Sequence, residues 1–142
     1  MERINWKRVA MGGALAGLVL LALTGITATL PGAPALWKNL QSHTRNAAEF
    51  AFTLFAFVFL GLLMTFWYAA IRPRFGAGPK TAAIAALFVW LLVIGQTLKG
   101  VATSEAVNLP SGPLMPILYL VIILASTEAG AWLYREPEAR LT

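Results

Sequence analysis

Four long apolar runs, each closed by glycine, proline or charged residues, constrain this chain more than any other feature. They occupy residues 9–30, 47–71, 80–103 and 114–134. A hydrocarbon layer ~30 Å thick needs about 20 apolar residues in a helix, which rises ~1.5 Å per residue and satisfies its own backbone hydrogen bonds. The runs predict an all-α membrane protein: four transmembrane helices in an up-down antiparallel bundle, one domain over residues 1–142. Charged residues make up 12% of the chain, about half the ~25% with which a soluble domain covers its surface.

The first run is entered through Glu2-Arg3-Ile4-Asn5-Trp6-Lys7-Arg8. A basic entry before an apolar stretch has the outline of a secretory signal. This run is longer than the roughly 7–15 residues of a signal's apolar core, so it is read as a retained span. The second run carries Phe50, Phe52, Phe55, Phe57 and Phe59, more bulk than a tight helix–helix seam accepts. Much of that helix is expected to face lipid or a bulky ligand. In Arg72-Pro73-Arg74-Phe75-Gly76-Ala77-Gly78-Pro79-Lys80, Pro73 is expected to stop the second helix. The glycines supply positive φ, and Pro79 opens the third helix in its first turn. Pro110, Pro113 and Pro116 bracket the entrance to the fourth run, and Pro116 is tolerable there because a first-turn N–H has no partner within the helix.

Four crossings put both termini on one side. Arg3, Lys7, Arg8, Arg72, Arg74, Lys80, Arg135 and Arg140 lie on that side, against Lys38, Arg45 and Lys99 on the other. Positive residues are retained in the cytoplasm, so the termini are expected to be cytoplasmic and the protein to reside in a bacterial inner membrane. Trp6, Trp67, Tyr68, Trp132 and Tyr134 fall at that same end and Trp37 at the other, the depths amphipathic rings prefer. Trp90 lies mid-span, where its indole N–H needs a partner inside the bundle. The net charge of +5 does not indicate nucleic acid, because the cations sit between apolar runs and form no basic, aromatic-studded face.

Few residues carry chemistry. Cysteine and aspartate are absent, which excludes thiolate sites and disulfides. No nucleophile with its base, paired carboxylates, phosphate loop or HExxH pattern is present, so neither an enzyme nor a metal site is expected. Glu128 lies six residues before Tyr134, about 9 Å inside the helix end. A carboxylate at that depth is costly unless paired or protonated. It admits two readings: a proton- or cation-binding group of a transporter, or an acid that tilts to the interface or pairs with Lys7, Arg8 or Arg72. Gln96 and Lys99 on the third run, with Glu105 after it and Glu49 at the start of the second, form a polar group at the opposite side, for anchoring or for a ligand vestibule. His43, the only histidine, is an ordinary loop residue or a single axial ligand to a bound pigment; a bis-histidine haem site is excluded. Gly13 and Gly17 form a G-x-x-x-G, with Gly12 and Ala16 offset by one, a small-residue face that lets helices approach closely.

The hairpin Trp67-Tyr68-Ala69-Ala70-Ile71-Arg72-Pro73-Arg74-Phe75-Gly76, followed by Gly78-Pro79-Lys80-Thr81, resembles that of a group of small four-helix bacterial membrane proteins with no assigned activity. The opening Ile4-Asn5-Trp6-Lys7-Arg8-Val9 and the closing Gly130-Ala131-Trp132-Leu133-Tyr134-Arg135-Glu136 resemble the same group. The resemblance implies the four-span layout and no catalytic residue. Its segments meet at one membrane face, where Arg72, Arg74, Trp67, Tyr68, Trp132 and Tyr134 would form a shared platform or simply the hairpin and aromatic belt. Two functions are expected from these features. One is a non-catalytic accessory subunit of a larger membrane assembly, such as an energy-converting one, holding lipid or pigment and contacting other membrane subunits. The other is a homodimeric proton-coupled transporter using Glu128.

Overall fold

The computed structural model describes residues 4–29, 46–103 and 114–134. Among them there is no strand. Four helices, α1 (Trp6–Ala28), α2 (Ala47–Phe75), α3 (Pro79–Thr103) and α4 (Leu114–Leu133), account for almost all of these residues. All four are long and apolar enough to cross a membrane. The starts of α1 and α2 each carry a local cause. The Asn5 side chain accepts from the Arg8 backbone N–H at 3.2 Å, and that of Asn46 accepts from Glu49 N–H at 2.8 Å. Both cap helix donors that have no internal partner.

One boundary differs from expectation. Pro73 does not stop α2; it lies exposed inside the helix, which continues to Phe75. Proline removes one N–H, and so close to the C-terminus that single loss leaves the helix room to finish its last turn. The stop comes at Gly76, whose φ of 85° departs from helical geometry and whose N–H donates to Arg72 O at 2.8 Å. Gly78 follows with φ 135°, again a region that glycine enters without a Cβ penalty. Pro79 then begins α3 as expected, and the Thr81 hydroxyl donates back to Gly76 O at 2.7 Å. This pins the short turn that makes α2 and α3 antiparallel.

The helices follow one another around the bundle, and α4 returns to pack on α1. Helix α1 makes its most extensive contact with α2 and its next with α4, while the backbones of α1 and α3 stay apart among the described residues. The other diagonal, α2 to α4, is in contact. The interior is built largely from small side chains: Gly12, Gly13, Ala16, Gly17, Gly61, Thr65, Ala69, Ala82, Ala85, Ala86, Ser126, Thr127, Gly130 and Ala131 are all buried. Large residues such as Phe52 (73% exposed), Phe55 and Ile117 point outward. A water-soluble bundle buries its large apolar side chains. In lipid, where tails are as apolar as leucine, helices associate through close packing of small residues, and the large ones face the solvent hydrocarbon.

Burial is not uniform along the bundle. Among the described side chains, α2 has no buried residue before Gly61, α3 none after Val89 and α4 none before Ile122. Only α1 is buried along its whole length, from Val9 to Ala28. The half nearer the termini is therefore tightly closed and the opposite half loosely packed. A link in the loose half is the Trp90 indole N–H, which donates to Pro116 O at 2.8 Å. That is the partner inside the bundle that its mid-span position demanded.

Candidate functional site

At the terminal face, α1 contacts two neighbours through two glycine seams. Gly13 and Gly17 face α2: a Cβ on Gly17 would lie 2.6 Å from Val58 Cα, and one on Gly61 would strike Gly13 O and Gly17 N. Gly12 faces α4, where an added Cβ would lie 2.7 Å from Gly130 O. The two seams are offset by one residue, hence by about 100° around α1. The Gly13 and Gly17 pattern is thus used inside the molecule. Thr65 fills the junction of α1, α2 and α4. Its hydroxyl oxygen is fully buried without a hydrogen-bond partner, and a Cβ on Gly130 would meet it at 2.6 Å.

The residues expected to share a platform divide into four environments. Tyr68 and Tyr134 are buried against each other in an edge-on pair with centroids 6.0 Å apart, and Arg72 lies 5.9 Å above the Tyr134 ring. Their hydroxyls are used: Tyr134 accepts from Asn5 N–H and Tyr68 from Gly78 N–H, both at 3.3 Å. This cluster ties the start of α1, the end of α4 and the hairpin together. Trp67 is half-buried and packs on Phe88 of α3 at 4.4 Å, while Arg74 is exposed on the hairpin. Trp132 lies elsewhere, 62% exposed on the outside of α4. Sequence reasoning placed the tyrosines at the belt but did not find the Asn5 and Gly78 contacts, which join residues far apart in the chain.

Glu128 is half-buried and lies on the outward stripe of α4 that carries Ile117, Val121, Ala125 and Trp132. Spacings of four, four, three and four residues place them on one helix face. It therefore borders the outer surface and not the bundle axis, and among the described residues it forms no ion pair with Lys7, Arg8 or Arg72. Neighbouring Ser126 and Thr127 are fully buried, and their hydroxyls donate to Ile122 O and Ile123 O at 2.8 Å. Those bonds are local to α4 and supply no polar path between helices.

At the opposite end, Glu49 is half-buried in the first turn of α2, where the helix dipole favours an anion, and Gln96 and Lys99 are exposed on α3. His43 and Glu105 lie outside the described residues. No group of three or more metal-ligating side chains occurs among the described residues. No protein-family model, curated protein or solved structure matches this chain.

Proposed function

We propose that this protein is a non-catalytic accessory subunit of a larger, energy-converting membrane assembly in the bacterial inner membrane, with its termini in the cytoplasm. The observation that carries the reading is the division of the bundle. One half is sealed by backbone contact between glycines, whereas the other presents Phe50, Phe52, Phe55 and Phe59, all more than half exposed, on a helix with no buried residue in that stretch. Aromatic side chains bring large contact area at small conformational cost and are enriched where proteins meet. The orientation rests on the excess of lysine and arginine at the terminal face. The sealed half gives the subunit a fold of its own, and the phenylalanine face gives it something to dock with.

Purification in a mild detergent from cells expressing the protein at its native level tests this. Stoichiometric recovery with a second membrane protein is expected, reduced when Phe52 and Phe55 are replaced by alanine. A chain that migrates alone or as a homodimer would count against it. The transport reading draws support from Glu128, since an acid on the outer stripe of α4 would become internal only between two copies. Glu128→Gln should then abolish proton-coupled flux in reconstituted vesicles, and unchanged flux would remove the residue from any mechanism.

A further inference from the structure

Between the start of α1 and the end of α4 lies an open groove of about 670 Å³, lined by Asn5, Lys7, Arg8, Met11, Trp132 and Leu133. Its volume is within the roughly 300–1,000 Å³ of small-molecule sites. Its lining changes character with depth. Lys7 and Arg8 stand at the helix end, and neither has an acidic partner among the described residues. Trp132 flanks them at the depth where indole rings meet headgroups. Below, Met11 and Leu133 are apolar. Met11 and Leu18 are seven residues apart on α1, and Trp132 and Val121 eleven apart on α4, so each pair shares a helix face. All but Arg8 and Leu133, which are half-buried, are exposed. The groove thus runs from two cations into an apolar track facing the membrane. Glu128 is one turn deeper than Trp132 on the same α4 face, the one acid beside two cations among the described residues of that face.

We infer that this groove is a binding site for an anionic phospholipid, with Lys7 and Arg8 on the phosphate, Trp132 at the glycerol level and the acyl chains along Met11, Leu18 and Val121. Basic pockets between membrane helices are the kind of surface that recognises anionic headgroups, and each such lysine or arginine strengthens binding about fivefold. A zwitterionic lipid matches the apolar track, but its headgroup cation offsets the attraction of its phosphate to Lys7 and Arg8. The site uses α1 and α4 alone and is independent of the phenylalanine face.

Native mass spectrometry of the purified full chain, titrated with phosphatidylglycerol or with phosphatidylcholine of the same acyl chains, tests the inference. The anionic lipid should be retained at least tenfold better, and Lys7→Gln with Arg8→Gln should weaken its retention roughly thirtyfold and that of phosphatidylcholine by no more than about threefold. Arg74→Gln with Lys80→Gln, which removes the same charge from the hairpin, should leave retention within about twofold. Equal retention of the two lipids, an unaltered affinity in the Lys7 and Arg8 variant, or an equal loss in the hairpin variant would overturn the site. Displacement of the lipid by millimolar inorganic phosphate would also overturn it, since the groove would then bind a soluble anion. Circular dichroism of both double variants confirms that the helices are retained; the substituted side chains are exposed or half-exposed, and no core contact is lost.

Discussion

The two halves of the bundle use the same four helices, yet they pack differently. Near the termini, α1, α2 and α4 meet through Gly12, Gly13, Gly17, Gly61 and Gly130, and two buried tyrosines spend their hydroxyls on backbone N–H groups of other segments. In the other half, α2 carries a phenylalanine at nearly every second position; Phe50, Phe52, Phe55 and Phe59 point away from the bundle, while Phe57 packs on the core. Side-chain size at the helix contacts distinguishes the halves: small where they close, large where they do not. In a solvent of lipid tails, apolar residues gain little by moving inside, so the distance at which backbones meet decides where a bundle closes.

The contrast can be broken most severely at Gly61. Gly61→Leu places side-chain atoms against the backbone of Gly13 and Gly17, where neither neighbour has a rotamer to give. A loss of about 3 kcal/mol or more is expected, read as a shift in the unfolding midpoint when SDS is titrated into a mild detergent. Gly95→Ala is the counterpart in the loose half, where an added Cβ meets nothing within 4 Å. It should stay within about 0.5 kcal/mol of the parent, or gain slightly from helix propensity. Comparable losses at the two glycines would erase the distinction between the halves.

A smaller effect is expected from Tyr134→Phe, which keeps the ring packed on Tyr68 but removes the acceptor of Asn5 N–H. The cost should be about 1 kcal/mol, with faster hydrogen exchange at the start of α1 as the local readout. Thr65→Val works in the opposite direction. It removes a buried hydroxyl that has no partner while keeping its shape, so stability should rise by up to about 1 kcal/mol. A fall would show that the hydroxyl finds a partner in the membrane. The smallest change belongs to Phe52→Leu, at an exposed position of the loose half. The isolated chain should unfold within about 0.5 kcal/mol of the parent, and a larger loss would mean that the phenylalanine face packs within the molecule.

Much of this layout was legible beforehand because its causes are local. Pro79 as the opening residue of α3 and Gly76 with Gly78 in the turn follow from φ preferences that neighbours do not alter. Pro73 was misread as the stop because proline forbids one hydrogen bond, and a helix near its end tolerates that loss. The platform was legible only as a list of residues at one depth. Depth follows from counting along a helix, but azimuth does not when a helix is apolar on every face. Tyr134 and Trp132, two residues apart, consequently separate into a buried cluster and an outer groove. The same ambiguity left open whether Glu128 faced the bundle or the lipid.

By itself, then, the sequence determined the number of crossings, the helical character of each and the short hairpin joint, since bilayer thickness and backbone hydrogen bonding allow little else for runs of that length. Only the tertiary structure decided which glycine faces which helix, that Glu128 lies on the outer stripe, and that Lys7, Arg8 and Trp132 share a groove. Those are matters of rotation about the helix axis. In a chain without amphipathic stripes, rotation is set by the fit of one helix surface against another.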